Sequence, residues 1–352
     1  MEENALKIEI HNNKQKDKKN KLLYITFTRS CCTIGIIIFH YFSHSNSNIK
    51  FLYLTKNSSW GFLFSTTFFC ISGTVIYYNY PKISSIKKFY YKRWKSIFPS
   101  YYIGFSFFYL NRAFTLHKLL FRGHWIKFIF TIIGLDGYLS YRIKTYFILG
   151  EWFLGAIIII YLLYPLLLWL IFKNITLFYL ILIFGYYLML RTNLFFAPND
   201  INIITCITSF YFGIITIKYK KIFMDKYITL IISFSLFILL NIIKLRHGFL
   251  FGQIQGFSLF LLMNKLGSYF TTTKIMNIFN FISNLSYSIF LYHHHIIYDI
   301  LGIYNPKESY INIILLGITI LLTLICSYIH SMVVNSVINS SIFKRFDLHF
   351  LK

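Results

Sequence analysis

Acidic residues are scarce in this sequence, where 11 Asp and Glu stand against 35 Lys and Arg in 352 residues. Charged residues of both signs make up only 13% of the chain, which is about half their share in an ordinary soluble domain. Hydrophobic residues make up 57%, and they form long runs between residues 22 and 334. Because a membrane-spanning helix needs about 20 mostly apolar residues, this pattern favours an integral membrane protein over two soluble domains.

Proline and cysteine are rare as well, with five of each. Four prolines lie at or near the ends of apolar runs, and Pro99 is placed where it can start a helix. The cysteines lie inside apolar runs, their number is odd, and they lack the spacing of metal ligands. This favours buried thiols and argues against a disulfide framework or a zinc site, and we expect no metal cofactor.

The apolar runs predict an all-α, polytopic bundle of about ten transmembrane helices. The candidate spans cover residues 22–42, 60–79, 97–111, 151–172, 175–190, 201–217, 227–243, 249–263, 281–303 and 311–334. A further stretch, 126–139, contains Gly134, Asp136 and Gly137, and we interpret it as re-entrant or interfacial. The first run is interpreted as a retained span, because it follows about twenty polar residues and no small-residue cleavage site comes after it.

The basic residues indicate how the chain is oriented. They cluster before the first span, at 82–95, at 218–226 and after the last span. Short loops rich in Lys and Arg stay in the cytoplasm, so ten spans place both termini there. The distribution argues against a nucleic-acid partner despite a formal charge of +24. We predict a disordered basic arm (1–21), a membrane domain (22–334) and a basic tail (335–352).

The first span carries two polar residues, Arg29 and His40, that are eleven residues apart. At about 100° per residue this is three turns plus about 20°, so both project from one face, with Thr33 and Ile36 between them. Their separation along the axis is about 16 Å. Arg29 could reach lipid phosphates while His40 bonds in the outer interface. Since an arginine inside a span costs about 2.5–3.5 kcal/mol, a shared polar channel is the other interpretation, and the common face favours it.

Other polar features have two interpretations each. Arg93 is either a positive flank of a span or, beside a helix that starts at Pro99, part of an anion site. Ser72 and Gly73 let helices pack closely or shape a substrate passage.

The triplet 293–295 is His-His-His, and three adjacent helical residues point in three directions, so they do not together ligate one metal. The last of them, His295, can pair with Asp299 as a structural hydrogen bond or as a proton relay.

Taken in order, five stretches resemble acyltransferase family 3, a family of polytopic bacterial membrane proteins that includes O-acetyltransferases. The stretches are Arg29 with His40, FFCISG at 68–73, KRWKSIFPSYY at 92–102, WFLGAIIIIYLLYP at 152–165 and SYSIFLYHH at 286–294. The resemblance covers residues 22–334. The sequence departs from the family pattern at Thr26, where an acidic residue is common, and at Ser96, where the family has a second arginine. It departs from the O-antigen acetylase branch at Ile157, where that branch has a glutamate.

The resemblance implies transfer of an acyl group, usually acetyl, from acyl-CoA to a hydroxyl of a glycan. It places Arg29, His40, Arg93, Trp152, Pro165 and His293 at the family's motif positions. We expect Arg29, Arg93 and Lys95 to hold CoA phosphates, and His40 to act as general base. Supporting roles along the substrate passage are expected for Ser72, Gly73, Glu151, Trp152 and His293.

The expected partners are acyl-CoA, a glycan or lipid-linked saccharide acceptor, and the lipids of a bacterial cytoplasmic membrane. A polysaccharide flippase or polymerase has the same composition and is the alternative. An ion-coupled transporter is less favoured, because such proteins carry several intramembrane carboxylates and this chain has few.

Overall fold

The computed structural model describes residues 22–49, 55, 57–121, 124–192, 197–224, 226–243, 248–270 and 274–351. At 151, 342, 348, 349 and 351 it describes the backbone only. The predicted arm at 1–21 lies outside these residues. Within them the chain forms helices joined by loops, and no β-strand. This confirms the predicted all-α class.

Ten long helices make up the bundle described. They are α1 (Leu23–His44), α2 (Trp60–Asn79), α3 (Ile86–Thr115), α6 (Glu151–Lys173), α7 (Ile175–Arg191), α8 (Ile203–Lys218), α10 (Tyr227–Ile242), α11 (Gly248–Phe270), α12 (Met276–Ile303) and α13 (Ser309–Ile338). Each predicted span lies on one of them. The short helices are α4 (Phe128–Ile132), α5 (Asp136–Leu139), α9 (Lys220–Phe223) and α14 (Ser341–Leu351).

Within the residues that the structure describes, four helices are long and apolar enough by themselves to cross a membrane: α1, α2, α6 from Trp152, and α13. Three more, α7, α8 and α10, are equally apolar but only 16 or 17 residues long. Large apolar side chains such as Ile183 on α7, Ile231 on α10 and Leu321 on α13 are exposed on the outside of the bundle. An apolar outer surface suits lipid contact, so the chain is a membrane protein, while the count of ten crossings stays a prediction.

Polar capping residues mark the starts of two helices, and a small residue allows two helices to pack closely. Ser59 and Ser85 accept hydrogen bonds from Phe62 N and Lys88 N, which caps α2 and α3. A Cβ on Gly73 would overlap the carbonyl oxygen of Phe210, so α2 and α8 cross with their backbones in contact. Close approach through small residues is typical of membrane helices.

The position of Pro99 corrects one prediction. Pro99 was predicted to start a helix, but α3 begins at Ile86 and contains Pro99, which is buried. The first turn of this helix is capped by Ser85 instead. Tyr287 donates a hydrogen bond to Ile97 O (3.2 Å) within this stretch. Arg93 therefore lies within a continuous helix, and the free backbone amides expected beside it are absent.

The basic segments gather at one end of the bundle, which we call the basic end. Lys218 lies over the Phe172 ring (4.4 Å), and Lys220 lies over the ring of Tyr24 at the start of α1 (5.4 Å). The tail helix α14 reaches the start of α3 at the same end, where Lys95 and Asp347 form an ion pair (2.6 Å). We call the opposite end, which contains His44 and the start of α2, the distal end.

The stretch 126–139 contains a 3₁₀ turn (Trp125–Lys127), α4 and α5, none of which is long enough to span a membrane. Buried Asp136 accepts a hydrogen bond from Thr131 Oγ1 (2.6 Å), and Thr145 Oγ1 donates to Asp136 O (3.0 Å). These bonds hold the stretch together, and α5 packs against the start of α6, where Gly155 faces Tyr138.

Candidate functional site

A cavity of about 580 Å³ lies between α1, α2, α3, α6 and α12. Six residues singled out from the sequence line it: Arg29, His40, Ser72, Arg93, Trp152 and His293. Thr33 and Ile36 line it as well, which confirms that the eleven-residue spacing on α1 forms one inward face. Side chains separated by up to 264 residues in sequence therefore border one space, from His293 back to Arg29.

Two arginines line the cavity toward the basic end. The Arg93 guanidinium lies over the rings of Tyr80 (5.3 Å), Tyr161 (5.9 Å) and Phe89 (6.0 Å). Its Nε is buried and has no hydrogen-bond partner among the described residues. Neither Arg29 nor Arg93 forms an ion pair with a carboxylate in the part of the chain described. Two guanidinium groups without an acidic partner make this part of the cavity suited to an anion.

Tyr161 connects Arg93 to α2. Its ring lies below Arg93, and its hydroxyl lies 3.4 Å from Ser72 Oγ. Tyr161 was not among the residues predicted from the sequence. A signal was available, because Phe153, Ile157 and Tyr161 recur every four residues on α6 and all line the cavity.

Lys95, expected to hold CoA phosphates, does not line this cavity. Its ammonium donates to Asp347 Oδ2 (2.6 Å), and Asp347 Oδ1 accepts from the Tyr91 hydroxyl (2.9 Å). The Tyr91 and Phe350 rings stack at 4.7 Å. Lys95 thus fastens the tail helix to α3, and it projects about 200° around the helix from Arg93, which lies two residues earlier.

His40 lies toward the distal end of the cavity, where the walls are aromatic. A second cavity, of about 450 Å³, adjoins it, and Phe39, His40, Tyr141, Trp152 and Phe290 line both cavities. The imidazole therefore stands where two spaces meet. A group entering from one side and a group entering from the other can both reach His40.

The histidine triplet on α12 divides between two directions. The ring centroids of His293 and His294 lie 5.2 Å and 4.0 Å from that of His40. His295 points away, stacks on Phe108 (3.8 Å) and donates from Nε2 to Ile148 O (3.0 Å). The expected hydrogen bond between His295 and Asp299 does not form, because the backbone carbonyl of the neighbouring loop takes its place.

The hydrogen bonds of His293 fix its tautomer. The ring is fully buried, and Nδ1 lies 2.9 Å from Phe290 O and 3.1 Å from Ile289 O. Since a carbonyl oxygen only accepts, Nδ1 carries the proton. The lone pair of the neutral ring is therefore on Nε2.

Four residues were expected to support the substrate passage besides His293, and two of them line a cavity. Trp152 lines both cavities, and Ser72 lines the first. Gly73 packs against α8 instead of lining a cavity. Glu151 is the first residue of α6, and its side chain lies outside the described residues.

Two further polar residues at the distal end were missed from the sequence. Asp200 lies in the loop before α8 and lines the first cavity. His44, one turn after His40, lines the second cavity, and the Tyr298 hydroxyl lies 3.3 Å from its Nε2. The four-residue spacing of His40 and His44 was a usable signal for the latter.

The chain was compared with protein families, with curated proteins and with solved structures. The family model described as acyltransferase domain, that of acyltransferase family 3, matches residues 22–332. No curated protein and no solved structure matches the chain. Since the match covers nearly the whole bundle and includes every helix that lines the cavity, the chain belongs to acyltransferase family 3 and is a membrane acyltransferase.

Proposed function

We propose that this protein is an O-acyltransferase that moves an acetyl or other short acyl group from acyl-CoA to a hydroxyl of a cell-surface glycan or its lipid-linked precursor. The observation that carries the proposal is the single cavity that has Arg29 and Arg93 toward the basic end and His40 toward the other. The proposed location is a bacterial cytoplasmic membrane, with both termini in the cytoplasm.

The donor fits this cavity in charge and in length. A CoA thioester has a phosphate-rich end, a long flexible arm and a reactive thioester. The two arginines supply cations for the phosphates, and a guanidinium binds phosphate oxygens with paired hydrogen bonds. The distance of about 16 Å along α1 between Arg29 and His40 matches the scale of the arm. The walls between them are mostly apolar and include Ile36, Phe68 and Ile71, which suits a thioester that must be kept from hydrolysis.

His40 is proposed as the general base. The acceptor hydroxyl gives its proton to the imidazole as its oxygen forms a bond to the thioester carbonyl carbon. The carbon–sulfur bond then breaks, and the CoA sulfur leaves with the electron pair and takes the proton from the imidazolium. An imidazole titrates near neutrality and can both accept and return this proton. His293 and Trp152 line the cavity beside His40 and are proposed to orient the reacting groups.

The second cavity is proposed to admit the acceptor. It opens at the distal end, away from the arginines, and shares His40 with the first cavity. Aromatic rings and hydroxyls line it, including Trp152, Tyr141, Tyr298 and Ser43. Tyrosine and tryptophan offer both an apolar face and a hydrogen-bonding edge, which suits a sugar ring.

The experiment that tests the proposal compares surface glycans from cells with the gene deleted and restored. Mass spectrometry measures ester-linked acyl groups per repeat unit together with glycan length. We expect deletion to remove the ester and leave the length unchanged, and the restored gene to return the ester. A change in glycan length or export with unchanged ester content would contradict acyltransfer and favour the flippase or polymerase alternative.

A further inference from the structure

We propose that His40, His293 and His294 form a binding site for a divalent transition metal ion such as Zn²⁺, and that an ion bound there inhibits the enzyme. One ligand nitrogen from each of the three rings lies within 4.8 Å of the others. In a tetrahedral site with Zn–N bonds of about 2.1 Å, the donor nitrogens lie about 3.4 Å apart. The rings therefore need to close by at most about 1.4 Å.

The site rests on two helices that hold the ligands close together. His40 lies on α1, and His293 and His294 lie on α12, which packs along α1. Tyr41 and Ile37 of α1 and Ile289 and Ile297 of α12 are buried in one apolar cluster around the histidines. The contact between α1 and α12 therefore holds the three rings next to one another.

His293 has the hydrogen-bonding arrangement of a metal ligand. Histidines that bind metals donate their other ring N–H to a carbonyl or carboxylate, which fixes the tautomer and directs the lone pair. His293 donates from Nδ1 to Phe290 O (2.9 Å), so Nε2 offers the lone pair. A donor set of three imidazoles suits Zn²⁺, Cu²⁺ or Ni²⁺, whereas Mg²⁺ and Ca²⁺ prefer oxygen.

The site has an entry path and room for a fourth ligand. His40 and His294 line the second cavity, and His44 at its mouth is exposed. An ion can therefore enter from the distal end without passing the arginines. Three protein ligands leave the fourth tetrahedral position to water.

Inhibition is the part of this inference that rests on the proposed function. A metal bound to His40 takes up the lone pair that would accept the proton of the acceptor hydroxyl. The ion is thus an inhibitor in this account and not a cofactor. Binding itself depends only on the three rings, so the two parts can be tested separately.

The test of binding uses Co²⁺ as the probe, with the full-length protein purified in detergent through a tag that lacks histidine. Tetrahedral Co²⁺ with nitrogen ligands gives visible absorption bands, and Zn²⁺ should remove them by displacement. We expect one ion per chain. We also expect His294→Gln to weaken binding more than about 100-fold, beyond the effect of losing an outer-shell partner. The matched control is His295→Gln, on the same helix but facing Phe108, and it should bind as the native protein does.

Absence of the bands in the native protein would overturn the proposal, and so would equal binding in native and His294→Gln proteins. Thermal unfolding of each variant identifies loss of folding, and His293→Gln serves as a second variant if His294→Gln unfolds.

The test of inhibition is an acyltransfer assay. Zn²⁺ should inhibit the native protein and EDTA should reverse this inhibition, while the residual transfer by His294→Gln should be insensitive to Zn²⁺. Activation by Zn²⁺ would contradict the inhibitory role. If the native protein binds cobalt but transfers no acyl group, the metal site stands and the proposed function is wrong. If it transfers acyl groups but binds no cobalt, the proposed function stands and the metal site is wrong.

Discussion

Arg29 and His40 project from one face of α1 into a single cavity, eleven residues and about 16 Å apart. The relationship links the cation-lined part near the basic end to the imidazole near the distal end through one rigid helix. It accounts for the presence of both polar residues in a span that is otherwise apolar, since each faces protein and not lipid.

The first prediction concerns the donor. Arg93→Gln should weaken acyl-CoA binding by about 10-fold to 150-fold, because a hydrogen bond to a charged group contributes about 1.5–3 kcal/mol. Binding by the native protein should also weaken as salt rises. Microscale thermophoresis with acetyl-CoA measures both. Arg112→Gln is the control, because Arg112 is exposed at the other end of the same helix. Equal affinity of the Arg93→Gln and native proteins would reject Arg93 as a donor ligand.

The second prediction concerns helix packing at Gly73. Gly73→Ala adds a Cβ where the carbonyl oxygen of Phe210 lies, so α2 and α8 must separate. Overpacking of this kind costs about 1–3 kcal/mol, and we expect a lower midpoint of thermal unfolding in detergent. Gly317→Ala is the control, since a Cβ there meets no atom within 4 Å and alanine favours a helix by about 1 kcal/mol over glycine. The account of the α2–α8 contact fails if both variants unfold at the same temperature.

The third prediction concerns the tail helix. The hydrogen bond from Lys95 holds the pKa of Asp347 below its usual value, and the Tyr91 hydroxyl contributes as well. A carboxyl with a lowered pKa in the folded state stabilises the contact above its ordinary pKa of about 3.9, and this contribution is lost as the pH falls through the folded value. Limited proteolysis at Lys344 and Arg345 measures docking of α14. Asp347→Asn should be cleaved faster than the native protein at pH 7.

Acid should act on the same contact. Between pH 5 and pH 3, release of α14 detected by fluorescence of a label on the tail should increase in the native protein and change little in Asp347→Asn. A variant that stays docked and resists protease at pH 7 would show that the stacked rings of Tyr91 and Phe350 hold the tail without the ion pair.

The length and polarity of the apolar runs allowed the helices to be predicted, and the spacing of Arg29 and His40 allowed their common face to be predicted. Both depend on local periodicity. The partners of Lys95 and His295 could not be predicted, because they come from packing of distant segments: Lys95 pairs with a residue 252 positions away and His295 with one 147 positions away. The prediction that a helix starts at Pro99 was wrong for a similar reason, because the stability of a helix around a proline depends on the residues that surround it.

The measurement that tests the account most directly is the ester content of surface glycans in a deletion strain restored with His40→Gln at matched protein level. Loss of a general base lowers the rate by about 10²–10⁴-fold, so the ester should fall to the level of the deletion strain while the purified variant still binds acetyl-CoA. His117→Asn, an exposed histidine at positive φ where asparagine is tolerated, should restore the ester fully. Normal ester content with His40→Gln would contradict the role of His40 as the base.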